Sequence, residues 1–146
     1  MATPPFLIRL MGHTALSRSF KIGEEDREAY AFANDLRAAV LEGRLSAVWT
    51  HPANELAGVT RATKRGPRAL PQAALARALG MHKGTSDYLF LHRAGSMAIE
   101  FKSAKGSLTQ GQRDFRSWCE QEGVPFHVVR SAAAGLDLLR SEGLLK

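Results

Sequence analysis

Two consecutive strand-like segments constrain the fold of this chain more than any other feature of its sequence. Residues 87–92 and 97–102 are rich in aromatic and branched residues, and the four residues between them (93–96) have the composition of a hairpin turn. If the two strands pair as a hairpin, Asp87 lies at the far end beside Glu100 and Lys102. The segment therefore predicts a sheet with two carboxylates and an amine at one edge.

The rest of the chain supplies helices and strands on either side of this hairpin. Helices are predicted over residues 24–42, 71–79, 109–122 and 132–142, and further strands over 45–50 and 126–130. Gly43, Gly80 and Gly123 stand where three of these helices are expected to end. The order helix, strand, helix, hairpin, helix, strand, helix predicts an α/β domain, a small mixed β-sheet flanked by helices.

Length and composition predict one domain in a reducing compartment. The 146 residues suffice for a single compact unit, which we expect over 24–146 after an N-terminal extension, residues 1–23. A single cysteine, Cys119, excludes an internal disulfide and a paired CxxC zinc site, so cytoplasm is the expected setting. The apolar run at residues 6–8 is too short for a membrane span, and no membrane partner is expected.

The positive charge of the chain is confined to one segment. Residues 56–86 contain no Asp or Glu but six basic residues. The chain has 20 basic residues, so the 14 outside this segment balance its 14 acidic residues and leave the whole net charge of +6 here. The segment is typical either of a surface for a polyanion or of a solvated loop. Its basic residues are Arg61, Lys64, Arg65, Arg68, Arg77 and Lys83.

Alternation along the second hairpin strand places Glu100 and Lys102 on one face. Two carboxylates at one sheet edge repel each other and are costly to desolvate, and a hard divalent cation such as magnesium resolves that conflict. The lysine can then hold, or help to deprotonate, a water that attacks phosphorus. The alternative is a plain surface ion pair between Glu100 and Lys102.

Two further polar residues have helical positions that direct them to the same sheet edge. Gln112 lies in line with Phe115 and Cys119 on the inward stripe of its helix, where it needs a polar partner, or else it is exposed in the first turn. Glu28 flanks the stripe of the first predicted helix and can reach the edge, or it serves only the helix dipole. Glu25, one turn earlier, is the alternative to Glu28 as the acidic residue that this helix contributes to the sheet edge.

An ordered set of short motifs runs through the chain. Its pieces are Glu28, Pro52-Ala53-Asn54-Glu55, Gly80-xxx-Gly84-xx-Asp87, Ala98-Ile99-Glu100-Phe101-Lys102, Gly106-Ser107-Leu108-Thr109-xx-Gln112, Gly123 and Val128-Val129-Arg130-Ser131. Taken in order, these pieces resemble the VRR-NUC domain, a nuclease branch of the PD-(D/E)XK superfamily. The resemblance covers about residues 25–140, and one departure is Ser86, at the place of the family's usual proline.

The resemblance implies a restriction-endonuclease-like core that cuts DNA with Mg²⁺ or Mn²⁺. It implies metal ligands at Asp87, Glu100 and the backbone carbonyl of Phe101. The stand-alone members, from phages and bacteria, imply a homodimer that acts on branched, flapped or junction DNA in replication and repair, in the cytoplasm of a bacterial or phage-infected cell. The catalytic set would be Glu28, Asp87, Glu100, Lys102 and Gln112, and the DNA-facing set Arg61, Lys64, Arg65, Arg68 and Lys83.

Three other functions remain open at this point. A non-catalytic nucleic-acid-binding module on the same fold accounts for the basic segment but not for the polar cluster. A structural or interaction protein would retain the fold without activity. A metal hydrolase of another substrate would use His51, His82 or His127, whose spacing does not match that of zinc enzymes.

Overall fold

The computed structural model describes residues 4–11, 21–53 and 60–146, and it is a mixed α/β structure. Five helices and six strands are present in these residues. They are α1 (Pro5–Met11), α2 (Glu24–Leu41), β1 (Ala47–Thr50), β2 (Thr60–Arg61), β3 (Arg68–Ala69), α3 (Pro71–Ala78), β4 (Tyr88–His92), β5 (Gly95–Phe101), α4 (Gln110–Glu122), β6 (Phe126–Val129) and α5 (Ala132–Ser141). None of the described helices is long and apolar enough to cross a membrane.

The main sheet has four strands in the order β1-β4-β5-β6. β1, β4 and β5 pair antiparallel, whereas β6 runs parallel to β5 after the connection through α4. The predicted hairpin is confirmed, with Tyr88 opposite Ile99. Asp87, one residue before Tyr88, therefore stands beside Glu100.

An aromatic cluster joins α2 to one face of this sheet. Phe32 of α2 is fully buried, and its ring lies 5.2 Å from that of Tyr88 and 5.3 Å from that of Phe101. The Tyr88 hydroxyl donates to the Ala29 carbonyl at 2.9 Å, which ties the first half of α2 to β4. Because side chains alternate along β5, Glu100 and Lys102 face the opposite side of the sheet from Phe101, toward α4.

The predicted helix boundaries agree closely with the structure because their capping residues act locally. Thr109 and Gln112 form a capping box at the start of α4, and Gly123 ends that helix in the left-handed conformation. Gly43 and Gly80, the other two predicted helix ends, also have positive φ angles.

Three elements, α1, β2 and β3, were not predicted. Helix α1 lies within the expected extension of residues 1–23, yet Met11 is buried and its sulfur accepts a hydrogen bond from the Trp49 N–H at 3.3 Å. The basic segment contains the two-stranded sheet β2-β3, with Arg61 opposite Arg68. Of the matching motif at residues 52–55, Asn54 and Glu55 lie outside the described residues.

A glycine contact sets the distance between the loop before β4 and the start of α4. A Cβ atom built on Gly84 would overlap the main chain of Gly111, whose carbonyl carbon would be only 2.6 Å away. The main chain of the loop therefore lies directly against the main chain of α4, shortly before Asp87 in the sequence.

We expect Gly84→Ala to destabilise the protein by about 1–3 kcal/mol, because a methyl group forces this loop and helix apart. Urea unfolding measures the change. Gly23→Ala is the matched control, since a Cβ there would meet nothing within 4 Å, and it should cost less than about 1 kcal/mol. Equal effects of the two substitutions would show that the close approach does not constrain the fold.

Candidate metal and active site

Three carboxylates converge at the predicted edge of the sheet. One oxygen each from Glu25, Asp87 and Glu100 lie within 4.8 Å of one another. Glu100 is 1% exposed, while Glu25 and Asp87 are half-buried. Such a group is costly to hold together without a cation because like charges repel and burial removes their hydration.

Lys102 supplies the positive charge beside this group. Its Nζ atom lies 3.1 Å from Glu100 Oε1 and 3.7 Å from Glu25 Oε1, and the residue is 7% exposed. One lysine faces three carboxylates, so the cluster keeps an excess of negative charge when all three are ionised.

Each carboxylate is fixed by its own contact with the fold. Asp87 Oδ2 accepts a hydrogen bond from the Phe101 N–H at 2.7 Å, and Glu25 Oε2 accepts one from the Ser103 N–H at 3.2 Å. Glu100 Oε1 accepts a hydrogen bond from Gln112 Nε2. Within the described residues, Glu100 Oε2 is buried and has no hydrogen-bond partner.

The unpartnered oxygen and the composition of the cluster fit a divalent metal ion. Buried polar atoms nearly always have partners, and Glu100 Oε2 has no hydrogen-bond partner among the described residues, so a bound cation would supply one. Three carboxylates are the oxygen donors that Mg²⁺ and Mn²⁺ prefer. The predicted role of the Phe101 carbonyl stays a prediction, although the N–H of Phe101 already lies against Asp87.

Gln112 occupies the position predicted for it, and its helix cap explains why. Its Oε1 accepts the Thr109 N–H at 2.9 Å as part of the capping box. That contact leaves the amide nitrogen directed at Glu100. The polar partner expected for an inward-facing glutamine is therefore the carboxylate.

Glu28 is placed elsewhere, and Glu25 takes the position expected for the helix acid. Glu28 Oε2 accepts the Ala132 N–H at 2.7 Å, where it satisfies a free donor at the start of α5 and suits that helix dipole. At about 100° per residue, Glu25 lies roughly 20° from Phe32 around α2, and Glu28 lies about 40° away on the other side. Strict helical geometry thus favours Glu25.

His51 is a further polar residue of the site that the sequence motifs did not assign to this cluster. Its Nδ1 atom lies 2.5 Å from the Asp87 carbonyl oxygen, so β1 helps to hold the start of β4. Among the described residues, the group that could hold a metal ion consists of three carboxylates and does not include His51, His82 or His127.

The cluster opens into a cleft of about 700 Å³. The exposed Lys83 lines this cleft, and its contact with DNA stays a prediction. Lys64, Arg65 and Arg68 are also exposed but line a separate depression of about 320 Å³ on the β2-β3 hairpin, which also carries the exposed Arg61. The cleft is lined by Glu25, Asp26, His51, Lys83, Thr85, Asp87, Thr109, Gln110, Gly111 and Gln112.

Burial and mutual repulsion shift the pKa values of two of the carboxyl groups upward. Burial, followed by the nearby Asp87 charge, raises the pKa of Glu100 from 4.5 to about 7. Burial also raises the pKa of Asp87, against the lowering effects of the Phe101 N–H and His51. Asp87 lines the cleft with Glu100 buried beside it, and carboxyl groups with raised pKa values are common at functional sites.

Comparisons with protein-family models, with curated proteins and with solved structures found no match to this chain. The function must therefore be inferred from the geometry of the site and from the sequence motifs.

We expect the metal-free protein to lose stability as the pH rises from about 4.5 to 7. Between these pH values Glu100 of the folded protein keeps a proton that the unfolded chain releases. The free energy of unfolding therefore falls as the pH rises, by on the order of 3 kcal/mol in total. Urea unfolding at several pH values in a chelating buffer measures this. Glu100→Gln should flatten the dependence, whereas Glu120→Gln, at an exposed position, should preserve it. Identical slopes for wild type and Glu100→Gln would contradict the expectation.

Proposed function

We propose that this protein is a divalent-metal-dependent DNA nuclease that hydrolyses phosphodiester bonds. The observation that supports this most strongly is the buried Glu100 carboxylate, with one oxygen lacking a hydrogen-bond partner among the described residues and the other beside Lys102 and Gln112. Glu25, Asp87 and Glu100 would hold Mg²⁺ or Mn²⁺. When bound, the ion would stabilise the negative charge that develops on the phosphate oxygens.

The chain's own residues would divide the remaining work. Lys102 would hold the attacking water, since its nearly buried amine is fixed beside Glu25 and Glu100. Gln112 would hold the orientation of Glu100. Water adds to phosphorus and one ester P–O bond breaks, so the products are a phosphate end and a free hydroxyl.

The motif order and the α/β architecture also support a more specific proposal. A four-stranded mixed sheet with the acidic cluster at one strand edge is the arrangement that the VRR-NUC resemblance implies. We therefore propose a restriction-endonuclease-like core acting on branched, flapped or junction DNA in replication and repair. Homodimer formation belongs to the same proposal.

We expect Mg²⁺- or Mn²⁺-dependent cleavage of DNA that is lost on substitution of the cluster. Asp87→Asn and Lys102→Met should each lower the cleavage rate about 100-fold or more, because they remove a metal ligand and the group that holds the attacking water. Gel assays on flapped, junction and linear DNA measure the rates. Asp137→Asn, at a largely exposed position on α5, is the control and should cleave as wild type does.

Tight DNA binding by a folded protein that cuts none of these substrates with either metal would overturn the nuclease proposal. That result would favour the non-catalytic binding module instead.

The basic hairpin should contribute affinity without sequence preference, because exposed cations contact phosphates. The double substitution Lys64→Gln with Arg65→Gln should weaken binding equally for different DNA sequences. It should also reduce the slope of the log binding constant against log salt concentration by about 2. The double substitution Arg116→Gln with Arg140→Gln is the control, since both side chains are exposed and already paired within their helices. A changed sequence preference would show that the hairpin contacts bases.

A further inference from the structure

A second groove adjoins the cleft on the side of α4. It has a volume of about 470 Å³ and nearly wholly apolar walls. Its residues come from the loop before β4 and from one face of α4. They are His82, Gly84, Thr85, Gly111, Phe115 and Trp118.

The groove presents a flat aromatic surface to solvent. Phe115 and Trp118 stack with ring centroids 6.2 Å apart and an interplanar angle of 21°. Trp118 is 51% exposed, whereas Phe115 is anchored by an edge contact with Phe126 of β6. An indole that is half exposed above an anchored ring is available to stack on a planar ligand.

The groove and the cleft are neighbours in the structure. Thr85 and Gly111 line both of them. At the boundary between groove and cleft, the main chains of Gly84 and Gly111 are in direct contact, with no side chain between them. His82 lies in the groove and the adjacent Lys83 in the cleft. A chain molecule with alternating charged and planar parts can therefore place a phosphate in the cleft and a ring in the groove.

We propose that the groove binds an unpaired nucleobase of the DNA strand whose phosphate lies in the cleft, an inference that rests on the proposed function. Single-stranded DNA is recognised by stacking of its bases on aromatic side chains, and this surface is open to any base because each has a π-face. Bases within a duplex are already stacked and cannot enter. The groove thus selects DNA with a single-stranded segment beside the cleavage position.

Binding measured without divalent metal tests this proposal separately from cleavage. Fluorescence anisotropy of labelled oligothymidylate and of a blunt duplex gives the two affinities. Trp118→Ala should weaken single-strand binding roughly tenfold and duplex binding less than twofold, and Trp118→Phe should retain most of the affinity. Leu79→Ala removes another exposed apolar side chain outside the groove and should change neither.

A second arm varies the DNA and uses the same two proteins, wild type and Trp118→Ala. A set of oligothymidylates with one abasic position, moved along the strand, should show a position at which wild type loses affinity and Trp118→Ala does not. Equal loss of single-strand and duplex binding in Trp118→Ala, or unchanged binding of both, would overturn the inference. So would a change of oligomeric state in Trp118→Ala with DNA binding intact, since the groove would then be an interface between copies.

These outcomes are distinguishable from failure of the proposed function. Selective loss of single-strand binding in a protein that cuts no DNA would overturn the nuclease proposal and support the base site. Normal cleavage by wild type, with Trp118→Ala equal to it in single-strand binding, would overturn the base site alone.

Discussion

The antiparallel register of β4 and β5 is the constraint on which the core and the candidate site both depend. With Tyr88 opposite Ile99, Asp87 meets Glu100 and accepts the N–H of Phe101. A slip of one residue would turn Glu100 toward α2 and Phe101 away from it, because successive side chains point to opposite faces. The same pairing therefore buries the aromatic cluster on one face and gathers the charged groups on the other.

The two flanking helices bring the remaining polar groups to that edge by different means. α2 is fixed by the Phe32 ring and the Ala29 contact to Tyr88, which carries Glu25 over Lys102. α4 is fixed by its own capping box, which directs Gln112 at Glu100. This arrangement raises the pKa of Glu100, because burial and the neighbouring Asp87 charge both disfavour its ionised form unless a cation is added.

Basic, acidic and apolar surfaces are separated on this molecule. In the proposed function, the basic hairpin β2-β3 and Lys83 would contact phosphates, the carboxylate cluster would hold the metal ion, and the Trp118 groove would stack on a base. Phosphate contacts give affinity and position but little selectivity. We therefore propose that the choice among DNA structures is made where the cleft and the groove adjoin.

The sequence by itself determined the local features: the hairpin, the glycine helix ends and the grouping of Asp87 with Glu100 and Lys102, because these depend on alternation and on contacts between near neighbours. Helical geometry favours Glu25 over Glu28 by a small angle, and the tertiary structure decides between them, since the distant Ala132 N–H takes Glu28. Helix α1 and the Trp118 groove likewise depend on packing between segments far apart in the chain, which no local pattern encodes.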